Sequence, residues 1–197
     1  MLDLMAAFPD IRPVREFLRE RGAERLAHPG GTLLDHVTRV AALLAEWGAG
    51  EELRAAGLCH ACYGTDGYAP ALLGLDERPV LREMIGERAE SLVYLYASCD
   101  RAAVYPGLAN EGPVPFVNRF TGATRTPPER EIRAFVELTA ANELDVVRHH
   151  QGVAAECGPA LLWLFASARA RLSAAAWLAW SRQPGRLSEP AGRAVRA

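Results

Sequence analysis

The strongest constraint on this chain is the period at which its apolar residues return. Leu33, Leu34, Val37, Val40, Ala41 and Leu44 fall on one face of a helix, and Ala89, Leu92, Val93, Tyr96, Cys99 and Ala103 do the same further on. No run alternates apolar and polar residues for long enough to supply a half-buried sheet. The expected fold class is therefore all-α, an irregular bundle of about six to eight helices.

Punctuation residues divide the pattern. A first helix is expected over 11–26, with Pro13 in its first turn, and His28-Pro-Gly-Gly31 breaks it. Thr32 can cap the next helix, which should run to Trp47-Gly48, and a third is expected over 51–62. Residues 68–76 are ambiguous; Pro79 can open a short helix over 80–85, and the spacing predicts a longer one over 87–104. Residues 105–128 are rich in Gly, Pro, Asn and Thr and read as a surface excursion, either a lid or pocket wall or irregular packing. Helices are expected over 129–147 and 161–180, separated by His149-His150 and Gly152. The chain reads as one domain over 1–184 followed by a flexible tail over 185–197.

Composition excludes several classes. Half of the 197 residues are apolar and 23% charged, enough to build a core and too apolar for wholesale disorder. All 22 cations are arginines against 24 acids, and a net charge of -2 gives no basis for nucleic-acid binding through many phosphates. Asp3 stands where a secretory signal would be basic, so the N-terminus is expected to be retained. The longest apolar stretch, 158–168, is too short to cross a bilayer. Four cysteines do not require a disulfide scaffold, and the expectation is a cytoplasmic protein that needs no membrane.

Of five histidines, His36 and His60 lie inside apolar helical segments. A buried imidazole must satisfy both nitrogens with a metal, a carboxylate or a backbone oxygen, and Asp35, Asp66 and Asp100 are the acids the pattern offers. A hydrogen-bonded core pair is the plain alternative.

Taken together, three segments carry a family pattern: Thr32-Leu-Leu-Asp-His-Val-Thr-Arg-Val40, Ala56-Gly-Leu-Cys-His-Ala-Cys-Tyr-Gly-Thr65 and Tyr96-Ala-Ser-Cys-Asp-Arg101. Their order resembles the HD-domain superfamily, whose helical core takes metal ligands from one histidine, then a histidine–aspartate pair, then a later aspartate. The resemblance spans about 32–103 and implies His36, His60 and Asp100 as metal ligands. It departs from the family at Ala61, which stands where the namesake aspartate would be, so one metal is implied rather than two. His28-Pro-Gly-Gly31 with Tyr63-Gly-Thr65 is similar to a small HD-related family of unknown function.

A single divalent ion (Mn, Fe or Zn) held by two imidazoles and a carboxylate keeps open positions. His28 and Asp66 can complete or support its shell, and Tyr63 and Thr65 enter the adjoining loop, where they can meet a ligand. Arg101 and Arg39 are the preferred anion contacts. The resemblance implies a metal-dependent hydrolase of a small phosphorylated metabolite or nucleotide. A mononuclear iron oxygenase is a second reading, and a non-catalytic binding domain, self-associating into a homo-oligomer through Trp177 and Trp180, is a third. Cys59-x-x-Cys62 with Cys99 and Cys157 is a weaker candidate for structural zinc, and the tryptophans read mainly as helix packing.

Overall fold

A computed structural model describes residues 11–183, so the readings made for the first ten residues and for the tail lie outside the described residues. Within them the helices are α1 Arg12–Glu20, α2 Leu33–Glu46, α3 Glu51–Cys59, α4 Arg78–Ile85, α5 Glu87–Ala97, α6 Arg101–Val104, α7 Glu129–His149, α8 Gln151–Ser167 and α9 Ala174–Ser181. Strands are confined to two antiparallel hairpins, β1 Ala27–His28 with β2 Gly31–Thr32 and β3 Phe116–Val117 with β4 Thr124–Arg125. The chain is thus an irregular helical bundle, as the apolar period requires.

Two helices organise it. At 21 residues, about 32 Å, α7 is the longest described, with Glu129 and Glu131 in its first turn and Arg148 and His149 in its last, each complementing the helix dipole. Its Ile132, Phe135, Val136, Ala140, Leu144 and Val147 form the middle of one apolar cluster. α2 joins that cluster through Val40, Leu43 and Leu44, and a second one, with α1 and α3, through Leu33, Val37 and Ala41. α2 is therefore the seam between the two, and His36 lies one turn ahead of Val40 on the side that meets α7.

Several boundaries differ from the sequence expectation. The 87–104 helix is interrupted: Asp100 takes extended backbone and caps the short α6, its Oδ1 accepting from Ala103 N at 3.0 Å. The last long helix begins at Gln151 rather than 161, because His150 Nδ1 accepts from Val153 N at 3.1 Å and caps it. It stops at Ser167, and a 3-10 turn precedes α9, whose first turn is capped by Ser173. The 105–128 excursion is packed: Val114 and Phe116 are buried, and Arg171 ties it down by donating to the carbonyls of Leu108, Asn110 and Gly112. Trp180 is fully buried with its indole donating to Ala140 O, so it supplies no self-association surface, whereas Trp163 is 65% exposed. No described helix is long and apolar enough to cross a membrane.

Burial decides the cost of truncation. Leu44→Ala, at the seam, is expected to lower the unfolding free energy by about 2–5 kcal/mol in urea denaturation. Trp163→Ala is expected to change it by under about 0.5 kcal/mol.

Candidate functional site

The His-Pro-Gly-Gly segment forms the β1–β2 hairpin, with Gly30 and Gly31 at φ 80° and 136°. A Cβ at Gly30 would fall 2.7 Å from the His149 ring, and one at Gly31 2.6 Å from Asp35 Oδ2, so glycine is required at both. Thr32 then starts α2 with a reciprocal cap: Asp35 N donates to Thr32 Oγ1 and Thr32 N to Asp35 Oδ2. This fixes the register that turns His36 inward and lays His28 on it, ring centroids 3.8 Å apart. His60 ends α3, its Nδ1 donating to Gly57 O at 2.7 Å.

His36 and His60, each 1% exposed, meet edge to edge. His36 Nδ1 donates to Asp145 Oδ2 at 2.7 Å. Burial pushes the Asp145 carboxyl up, but bonds from His36 and Arg39 outweigh it and hold the group at about 2, so it is an anion that can only accept. Arg39 donates to both of its oxygens, at 2.7 and 2.9 Å, and also to Pro29 O and Gly30 O. One arginine thus anchors the carboxylate and the hairpin that carries His28.

With both Nδ1 atoms committed as donors, the Nε2 atoms face each other at 3.3 Å, and Asn142 Oδ1 lies 3.0 Å from His36 Nε2. The Asn142 amide is oriented by its own Nδ2, which donates to Glu143 Oε1 at 3.1 Å. Three acceptor atoms therefore converge, and a proton on His36 Nε2 or a metal cation completes the junction. Burial, with His36 alongside, depresses the His60 imidazole to about 3, so His60 is neutral at physiological pH.

The junction opens on a cavity of about 340 Å³ lined by His28, His36, His60, Ala61, Thr65, Tyr68, Arg101, Asn142, Glu143, Cys157 and apolar neighbours. Arg101 donates to Glu143 Oε1 at 2.9 Å and to Tyr96 OH at 3.1 Å. His28 Nδ1 is buried without a hydrogen-bond partner, and burial and His36 depress the ring to about 4. A larger cavity of about 720 Å³ lies against the 105–128 excursion, but its Arg171 is already committed to three carbonyls and to Glu129.

Of the residues singled out in the sequence, His28, His36, His60, Thr65 and Arg101 are brought together on this cavity. Arg39 stands behind His36 on Asp145. Asp100 does not line the cavity, since its carboxylate caps α6, and Asp66 is exposed and accepts from Arg101 N at 2.9 Å. Asp35 is used by the Thr32 cap. The expected acidic partner of the histidines is instead Asp145, on α7. Tyr63 points elsewhere, donating to the buried Glu90, which Arg78 also holds. The residues missed are Asn142, Glu143 and Asp145.

Among the described residues no group of three or more His, Cys, Asp or Glu is arranged to hold a metal. The four cysteines therefore form no such centre; Cys59 and Cys62 are buried, and Cys59 is pushed well up by its contact with Cys62 and by burial. The histidine junction reaches three donors only through the Asn142 amide oxygen. The two imidazoles are spaced as ligands of one ion would be: bonds of about 2.0–2.1 Å at tetrahedral angles place ligand atoms about 3.3 Å apart, the separation of the two Nε2 atoms, while Asn142 Oδ1 lies closer to His36 Nε2, at 3.0 Å. Each Nδ1 is also held by an oxygen, as metal-binding imidazoles require.

A family model described as a domain of unknown function (DUF6817) matches residues 17–101, under half of the chain. The match includes His28, His36, His60 and Asp100 and ends before α7. No curated protein and no solved structure matches the chain.

The buried His60 predicts acid sensitivity. The unfolded chain takes up this proton as pH falls through about 6.5, the folded protein only near 3, so stability is full above 6.5 and declines between the two. In chelator-treated protein, His60 should account for about 2 kcal/mol of the unfolding free energy lost between pH 7 and 5, and His28, depressed to about 4, adds to that loss. His60→Gln should reduce the slope over that interval and leave the part due to His28. Asp145 acts in a separate window, below its unfolded value of 3.8.

Proposed function

We propose that this domain is a mononuclear metal-dependent hydrolase acting on a small phosphorylated metabolite or nucleotide. The observation that carries the reading is the convergence of His36 Nε2, His60 Nε2 and Asn142 Oδ1 at the floor of a cavity, with both imidazoles already oriented from behind. A divalent ion bound there, Mn, Fe or Zn, would supply Lewis acidity to a substrate oxygen and to water.

The chain's own groups supply the remainder. Glu143 borders the cavity beside Asn142 and is the acid placed to accept a proton from water. Arg101, held by Glu143 and Tyr96, presents guanidinium N–H groups to a phosphoryl oxygen. His28 borders the same cavity and would contact the substrate there. Leu33, Val146 and Val153 exclude water from the walls. Asp145 and Arg39 act through His36 and are positioning residues.

A binding domain without catalysis is the second reading, favoured by Ala61 and by an amide rather than a carboxylate at Asn142. The iron oxygenase is the weaker alternative, because the junction lacks the carboxylate of a two-histidine, one-carboxylate set.

Elemental analysis of untagged protein, then titration with Mn, Zn and anaerobic Fe, tests the shared premise. Wild type should bind one equivalent and His60→Ala none. Asp145→Asn, whose amide would donate to His36 Nδ1 and force the other tautomer, should lose about 10–100-fold in affinity. Phosphate release from nucleotides or sugar phosphates, abolished in Glu143→Gln, would support hydrolysis. Equal metal binding by wild type and His60→Ala would end the metal reading, and binding without turnover would favour the second.

A further inference from the structure

We infer that the metal and an oxyanionic ligand enter this site as a coupled pair, because the chain places no uncompensated negative charge at the junction. The inference rests on the metal reading above and adds to it what must accompany the ion.

The three donors, two imidazoles and an amide, are neutral as ligands. Two carboxylates stand next to them, and each is matched by an arginine. Asp145 receives two bonds from Arg39, at 2.7 and 2.9 Å, and Glu143 receives one from Arg101 at 2.9 Å. Both carboxylates are almost wholly buried, Asp145 at 1% and Glu143 at 8% exposed, so solvent does little to screen these pairings. Ala61, next to His60 in sequence, lines the cavity with a methyl group rather than a carboxylate.

A divalent ion at the junction, displacing any proton on His36 Nε2, would therefore hold two positive charges that no carboxylate of the site is free to match. An unmatched charge out of water is strongly disfavoured, so the counter-charge must come from the cavity side. A doubly charged oxyanion such as a phosphoryl group supplies it, and Arg101 and His28 border the space that group would fill. By linkage, each ligand then raises the affinity of the other by the same factor.

Calorimetric titration of Mn2+ into chelator-stripped full-length protein, with and without inorganic phosphate at matched ionic strength, tests this. Free Mn2+ is corrected for its phosphate complex. Phosphate should tighten Mn2+ binding at least about tenfold. Asn142→Asp places the missing charge in the chain itself. It should bind Mn2+ at least about tenfold more tightly than wild type without phosphate, and should lose most of the phosphate effect. If circular dichroism shows that Asn142→Asp does not fold, Ala61→Asp puts a carboxylate in the same cavity and should behave alike.

Mn2+ binding that phosphate leaves unchanged would overturn the coupling while leaving the metal site standing. No binding under either condition, with Zn2+ also silent, would overturn both.

Discussion

The hydrogen bond from His36 Nδ1 to Asp145 is the interaction on which the site depends. It links α2 to α7 across 109 positions of sequence and orients the imidazole. Because the carboxylate is ionised and doubly bonded to Arg39, the proton on this edge must stay on the ring, and Nε2 is turned toward His60. Arg39 extends the same arrangement to Pro29 O and Gly30 O, so the hairpin that stacks His28 over His36 is held by the same ion pair. A buried pair of this kind is weak as a source of stability but strong as a device for fixing one tautomer and one ring orientation.

The rest of the bundle serves that geometry. α2 lies between two apolar clusters, which hold its first turn against α7, and the Thr32–Asp35 cap sets where the turn begins. α3 ends where His60 can still bond Gly57 O, so the second imidazole is held by its own helix. The resulting junction is rich in lone pairs and poor in net charge. On the proposed metal reading, that combination would make cation binding depend strongly on whatever anion shares the cavity.

Much of the fold was legible because helical periodicity is local. The stripes through Leu33–Leu44 and through Ala89–Ala97, the Thr32 cap and the long helix from Glu129 all read directly from residue spacing. What failed were boundaries set by competing local bonds: side-chain caps at Asp100 and Ser173 break apolar runs, and the His150 cap restarts a helix at once after the expected break there. The histidines were legible as polar residues within apolar stripes. Their partners were not, because Asn142 and Asp145 come from α7, more than a hundred residues from His36. A signal did exist: Asn142 lies seven residues after Phe135, and Asp145 seven after Leu138, so both continue buried stripes of α7 with a polar residue. Asp100 misled because the family order made it the third ligand, whereas its local backbone uses the carboxylate as a cap.

The central claim is that His36 Nε2 and His60 Nε2 share one cation. Long-range 15N–1H correlation spectra of the histidine rings, recorded during a Zn2+ titration, test it most directly. The account predicts that both rings keep Nδ1 protonated throughout, and that their two Nε2 resonances shift together and saturate at one equivalent of zinc. Nε2 resonances that stay fixed, or a shift in one ring without the other, would contradict it.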